Sequence, residues 1–276
     1  MGQFISYKNS SIHYCKYGNG NELLICLHGF GEEASSFAFL EKPIGHRFTI
    51  IAINMPFHGE TIWNDGLLFS PEDLQEIIVA IIKSCKPQLL KYKLNFLAYS
   101  MGGRLVLGYF QRYPDLVKTI TLVAPDGLHK NRWYWFATQT SIGNRLFKFT
   151  MQQPQWFLGM VKLLGKVNLL NRSVVKFVGY YLGDENIRTA LYKRWTTMRK
   201  FRADLQLIRK LAEEKKVSLK MLFGQYDRII IYQRGLNFQK GQEAFIEVKV
   251  IKAGHQLLQQ KYVDEILQLL ETHSVF

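Results

Sequence analysis

The sequence predicts an α/β fold, with one mostly parallel sheet covered by helices on both faces and interrupted by an all-helical insertion. Three observations predict it. Short runs rich in Ile, Leu and Val recur through the first half and return near the end, as strands buried on both sheet faces should read. Helix-period segments separate most of these runs, and strands that alternate with helices pair in parallel. From about Leu128 to Lys210 the alternation stops, and the chain reads as helices alone.

Taken in order, Phe4 to Lys8 and Ile12 to Tyr17 read as two short strands, closed by the turn Gly18-Asn19-Gly20. Leu23 to Leu27 is a continuous apolar run with Cys26 inside it, and Phe48 to Ile53 repeats the pattern. Ser70-Pro71-Glu72-Asp73 reads as a cap with proline at the first helical position, ahead of Leu74, Ile77, Ile78, Ile81 and Ile82. Leu94 to Ala98 is the next strand, and Arg104 to Tyr113 the helix after it, stopped by Pro114. Val117 to Val123 is the sixth strand. The helical stretch that follows is broken by Gly143, Pro154, Gly165 and Gly183. Ser218 to Phe223 and Phe245 to Ile251 restore the strands, and Gln256 to Leu270 reads as a closing amphipathic helix. The predicted division is a core domain of residues 1–127 and 213–276 and a helical cap, or lid, of residues 128–212.

A chain of 276 residues with 47% hydrophobic and 21% charged residues can bury one substantial core. Its three cysteines, Cys15, Cys26 and Cys85, are too scattered for a disulfide framework, and no Cys/His cluster has metal-binding spacing. Met1-Gly2-Gln3-Phe4-Ile5-Ser6 fits the loose pattern for N-myristoylation, yet the stretch alternates like a strand and has no secretory character. No apolar stretch is long enough to span a membrane. These features predict a cytoplasmic protein. The net charge of +14 is concentrated: residues 126–216 hold 18 Lys/Arg against 6 Asp/Glu, a local net of +12. No nucleic-acid recognition signature accompanies that charge.

Four segments carry chemistry. In Leu97-Ala98-Tyr99-Ser100-Met101-Gly102-Gly103-Arg104 a serine stands where a buried strand turns into a helix, flanked by small residues at 98 and 102. Such a turn lifts the hydroxyl to the carboxyl edge of the sheet. Leu27-His28-Gly29-Phe30-Gly31 follows another buried strand. Its loop can aim the Phe30 amide at the point the Met101 amide faces, which would make an oxyanion hole worth roughly 3 kcal/mol of barrier per donor. His28 is predicted to be a loop histidine satisfied by backbone. His255, in Ala253-Gly254-His255-Gln256 after the last strand, is the candidate base, and Asp227, in Gln225-Tyr226-Asp227-Arg228 after the preceding strand, its orienting acid. Ser, Asp and His then follow the chain order of this elbow motif, all at carboxyl ends of strands. Asp126, after the sixth strand, is the other candidate acid.

With these residues the chain resembles the α/β-hydrolase superfamily, as a serine-nucleophile member with a helical cap. The likeness runs over nearly the whole chain outside the cap. Asn54-Met55-Pro56-Phe57-His58-Gly59-Glu60-Thr61 is similar to the family's D-x-P-G-H-G-x-S loop, departing at Asn54 and Phe57. Ala98 replaces the usual first glycine of the elbow. The resemblance implies an α/β-hydrolase fold, a Ser100–His255–Asp227 triad and no metal or organic cofactor.

The insertion interleaves Lys and Arg with aromatics, from Trp133-Tyr134-Trp135-Phe136 through Phe147, Phe149, Trp156, Phe157, Phe177, Tyr180, Tyr181 and Trp195 to Phe201. Some must form its own core. Others, with Trp133, Trp135 and Arg104 as candidates, are expected to contact a hydrophobic or anionic acyl substrate. Basic residues among Trp and Phe also fit peripheral contact with an anionic membrane. The leading function is hydrolysis of a carboxylic ester or related acyl compound through an acyl-enzyme. Two alternatives remain: a cofactor-free lyase similar to the menaquinone-pathway synthase that eliminates pyruvate, whose S-M-G-G-R stretch Ser100 to Arg104 matches, and an inactive binding protein of the same fold. The expected partner is the small-molecule acyl substrate, with no nucleic acid.

Overall fold

A computed structural model describes residues 2–166, 178–179 and 182–271. Eight strands form one sheet: β1 (Gly2–Tyr7), β2 (Ser10–Tyr17), β3 (Glu22–Leu27), β4 (Phe48–Ile53), β5 (Leu94–Tyr99), β6 (Val117–Val123), β7 (Ser218–Gly224) and β8 (Ile246–Ile251). Their spatial order is β1-β2-β4-β3-β5-β6-β7-β8. The β1/β2 and β2/β4 pairs are antiparallel, and every pairing from β4 to β8 is parallel. The order reverses where β3 and β5 lie side by side, and open α/β sheets put their sites at the carboxyl end of such a switch point.

Burial explains the runs of the central strands. Every residue of β4 and β5 is buried, because helices cover both faces. The helices around the sheet are α1 (Glu41–Ile44), α2 (Pro71–Cys85) and α3 (Met101–Arg112). One face packs Phe37, Leu40, Phe48, Leu257, Ile266 and Leu269 into a shared core. On α2 the buried residues are Leu74, Ile77, Ile78, Ile81 and Ile82, one stripe of helical period. Asn95 sits buried in β5 with its polar atoms engaged, donating to the Leu23 carbonyl and accepting from the Thr119 hydroxyl.

The chain divides into two compact units, residues 1–65, 69–129 and 200–276, and residues 66–68 with 130–199. The second contains α4 (Arg132–Gln139), α5 (Ser141–Gln152), α6 (Gln155–Lys166) and α7 (Glu185–Thr197). Asn131, Thr140 and Asp184 cap three of these through their side chains. It buries Met151, Val161, Leu182 and Met198, and among its half-buried rings Tyr134 stands edge-on to Trp195, with Phe147 against Tyr192 and Trp195.

Two boundaries differ from the sequence reading. The expected insertion of residues 128–212 takes in most of α8 (Leu205–Glu214), but that helix lies in the first unit, as does Phe201, packed on Phe69 and Gly108. A helix of amphipathic period looks alike in either place. The expected closing helix from Gln256 begins instead with a 3-10 turn at Gln260–Tyr262 and continues as α10 (Val263–Glu271), after the short α9 (Gln233–Gln239). Residues 252–259 stay a loop, which the site requires. Phe177, Tyr180 and Tyr181 lie outside the described residues. Among those described, no helix is long and apolar enough to cross a membrane, and no cluster of His, Cys, Asp or Glu could hold a metal ion.

At the start of α2, Ser70 and Asp73 form a reciprocal capping box, and Asp73 also accepts from the Tyr7 hydroxyl and the Lys8 ammonium, each at 2.6 Å. The cap therefore ties the helix to the edge strand. Ser70→Ala is expected to lower unfolding stability by about 1 kcal/mol, read as a shift of the urea midpoint with an unchanged slope.

Candidate active site

Ser100 follows β5 directly and precedes the first residue of α3. Its backbone sits at φ 49° and ψ −114°, a conformation that side-chain-bearing residues rarely adopt. Neighbouring strands hold it there. The Ser100 amide donates to the Val123 carbonyl at 2.9 Å, and its own carbonyl accepts from the amides of Gly103 and Asp126. The turn needs small neighbours. A Cβ on Gly102 would lie 2.2 Å from the Leu27 carbonyl oxygen, and one on Gly103 would lie 2.6 Å from Pro125. Ala98 is fully buried in β5, so the methyl group in place of the customary glycine fits.

The imidazole of His255 comes from the loop after β8. Its Nε2 lies 3.2 Å from Ser100 Oγ, and its Nδ1 donates to Asp227 Oδ2 at 2.7 Å. With Nδ1 carrying the proton, Nε2 is left to accept from the serine hydroxyl. The loop is drawn in by Gly224: a Cβ there would lie 2.3 Å from the Gly254 carbonyl oxygen. Tyr99, the residue before the serine, donates its hydroxyl to the His255 carbonyl at 3.2 Å and sets its ring 5.4 Å from the imidazole. Tyr99 is a positioning residue that the sequence reading missed. Its only signal is its place next to the elbow serine.

Asp227 is buried and fully engaged. Beyond His255, its Oδ1 accepts from the amides of Ile229 at 2.7 Å and Ile230 at 2.9 Å. Burial alone would raise its pKa, but the hydrogen bonds from His255 and the two amides outweigh burial and hold the carboxyl below its ordinary value. Asp126, the other candidate acid, is used differently. It accepts from the Gly127 amide and pairs with Arg104 Nε at 3.6 Å.

Two of the expected oxyanion donors flank the elbow. The Met101 amide is the first of α3, and a first-turn amide has no carbonyl within its own helix to meet. Phe30 is half-buried in the loop after β3. A Cβ on the preceding Gly29 would lie 3.3 Å from Ser100 Cβ, so that loop's backbone runs alongside the serine. His28 in the same loop is buried. Its Nδ1 donates to the Gly29 carbonyl and its Nε2 accepts from the Met55 amide at 3.1 Å.

The loop after β4 accounts for its departure at Asn54. Asn54 accepts from the Ala34 amide through Oδ1 and donates through Nδ2 to His13 Nδ1 at 2.8 Å. An aspartate could not donate to that ring nitrogen. Phe57, where the pattern has glycine, stands at φ 63°. Of the expected substrate contacts, Arg104 is buried in the first turn of α3, where the helix dipole disfavours a cation and Asp126 offsets it. Trp133 and Trp135 lie on α4 in the second unit, both exposed.

An eight-stranded, mostly parallel sheet with a serine at a strained strand-to-helix turn defines an α/β hydrolase architecture. The chain belongs to the alpha/beta hydrolase fold family, which matches it over residues 22–256. It is 22% identical over 228 residues to the uncharacterized hydrolase YugF of Bacillus subtilis (strain 168), covering 82% of this chain and 80% of that protein. It is 32% identical over 104 residues to a putative 2-succinyl-6-hydroxy-2,4-cyclohexadiene-1-carboxylate synthase of the same organism, covering 38% of this chain and 36% of that one. Its fold is similar to that of a thermophilic esterase from Thermogutta terrifontis, with a TM-score of 0.66 at 15% identity over 99% of this chain and all of the esterase.

Two outcomes are expected of this geometry. Gly102→Ala should lose about 1–3 kcal/mol of stability through overpacking against Leu27, seen as a lowered melting temperature. Because the folded pKa of Asp227 is depressed, its contribution to stability is present above the unfolded value of about 3.9 and is lost as pH falls through the lower folded value. The stability gap between wild type and Asp227→Asn should therefore be full near neutrality and close under acid conditions, as measured by urea unfolding at each pH.

Proposed function

We propose that the protein is a serine hydrolase that cleaves a carboxylic ester or related acyl compound through an acyl-enzyme at Ser100. The observation that carries this reading is the continuous hydrogen-bonded chain from Ser100 Oγ through His255 to Asp227. Ser100 Oγ attacks the acyl carbonyl carbon while His255 Nε2 takes its proton. The carbonyl π pair moves onto oxygen, where the Met101 and Phe30 amides stabilise the anion. When the tetrahedral intermediate collapses, the bond to the leaving group breaks and His255 returns the proton to it. Water then attacks the acyl-enzyme by the same route, freeing the acid and restoring Ser100. Asp227 stays ionised throughout, holding the tautomer and stabilising the imidazolium. No metal or organic cofactor enters these steps.

The lyase alternative draws on Arg104 as a substrate-gripping cation. The ion pair with Asp126 gives that charge a partner within the chain and favours a structural role. The match to the synthase spans little more than a third of either chain and does not favour that alternative.

The test is intact-mass labelling with a small fluorophosphonate, followed by turnover of p-nitrophenyl esters of graded chain length. One stoichiometric adduct is expected on wild type, absent in Ser100→Ala and formed more slowly in His255→Ala. Ester turnover should fall by roughly 10⁴–10⁶ in either variant. Folded wild-type protein that neither takes the label nor turns over any ester would overturn the reading.

A further inference from the structure

In the second unit, α5 and α6 each expose a row of large apolar side chains. On α5 these are Ile142, Leu146 and Phe149; on α6 they are Trp156, Met160 and Leu163. Both rows have the spacing i, i+4, i+7, which places each on one side of its helix. Ile142 is 76% exposed and Leu163 62%, well beyond the scattered exposure an ordinary surface shows. The Phe149 and Trp156 rings stack at 6.5 Å and 27°, joining the two rows across the turn between the helices.

The charge carried by the two helices has one sign. Arg145, Lys148, Lys162 and Lys166 lie on these two helices, all exposed, and none is ion-paired among the described residues. The 57 residues from Gly127 to Gly183 contain no aspartate or glutamate at all. By contrast, Arg188 and Arg199 of the same unit are spent on backbone carbonyls of Met151, Leu182, Leu67 and Thr196. These four cations thus lie on the helices that expose the apolar rows.

We propose that these outer rows of α5 and α6 form a docking surface for an anionic lipid bilayer. Both helices have 12 residues, too short to cross a membrane and suited to lying in its interface. The apolar rows would enter the headgroup–acyl boundary, with Trp156 at the depth where indole rings favour the interface. The lysine and arginine side chains would reach anionic headgroups from the edges. A second copy of the chain is a poor occupant, because it would bring two acid-free basic faces together. The proposal does not depend on chemistry at Ser100.

The test is co-sedimentation of the full chain with vesicles of phosphatidylcholine alone and of phosphatidylcholine with about one third phosphatidylglycerol, at low and near-physiological ionic strength. Binding is expected to the anionic vesicles and to weaken with salt. Each removed cation should weaken it about fivefold, so Lys148→Gln with Lys162→Gln should lose more than tenfold. Phe149→Asp and Leu163→Asp should each abolish it while circular dichroism stays that of wild type. Ser100→Ala should bind as wild type does, which separates this surface from the proposed hydrolase site. No binding to either vesicle would overturn the proposal, as would equal binding to both or unchanged binding by the aspartate variants. So would a dimer that Leu163→Asp dissolves, since the occupant would then be a second copy.

Discussion

The site depends on one backbone turn that L-amino acids avoid. Ser100 at φ 49° and ψ −114° carries strain of order 1–3 kcal/mol, and it persists because both neighbouring strands grip it. On one side β6 accepts the Ser100 amide at Val123 and returns the Asp126 amide to the Ser100 carbonyl. On the other, β3 runs so close that Gly102 has no room for a methyl group beside Leu27. The parallel register of β3, β5 and β6 therefore comes first, and the strained turn at the half-buried Ser100 is its consequence.

The second half of the site is built by the same device two strands away. Gly224 at the end of β7 lets the backbone of residues 253 and 254 approach, and the Tyr226 amide donates to the Ala253 carbonyl. This brings the His255 loop over Asp227. Tyr99 then links the halves, since its hydroxyl meets the His255 carbonyl while its own chain leads into Ser100. An imidazole held by a carboxylate on one side and a tyrosine at its backbone has little freedom to turn away. That constraint holds Nε2 toward the serine, the preorganisation that the proposed hydrolysis calls for.

Much of this was legible in the residues because local signals and the global fold agree. The buried strands announce themselves as unbroken Ile/Leu/Val runs, and glycines beside Ser100 announce a crowded turn. What could not be read belongs to contacts made at long range. Helix Leu205–Glu214 has the same amphipathic period whichever neighbours it packs on, so no local signal places it with the first unit. The loop at residues 252–259 resembled the start of the last helix, because nothing local says that His255 must stay out of it. Tyr99 and the donor role of Asn54 toward His13 depend on partners 156 and 41 residues away. The pairing of Arg104 with Asp126 is likewise made beyond the reach of any local pattern.

The two units handle charge in different ways. Residues 130–199 hold 12 Lys/Arg and 2 Asp/Glu, a net of +10, which leaves +4 for the rest of the chain. In the first unit, cations find carboxylates: Arg47 and Lys118 share Glu22, and Lys215 meets Asp115. The second unit buries Met151, Val161, Leu182 and Met198 and clusters the half-buried rings of Tyr134, Phe147, Tyr192 and Trp195, whereas the outer rows of α5 and α6 stay exposed. Those rows and their flanking cations add self-repulsion and exposed apolar surface, both unfavourable for a protein standing alone in water. Folding does not account for them. A partner that takes up apolar side chains and positive charge together relieves both costs at once, and an anionic bilayer offers that pair of properties over the breadth of two helices.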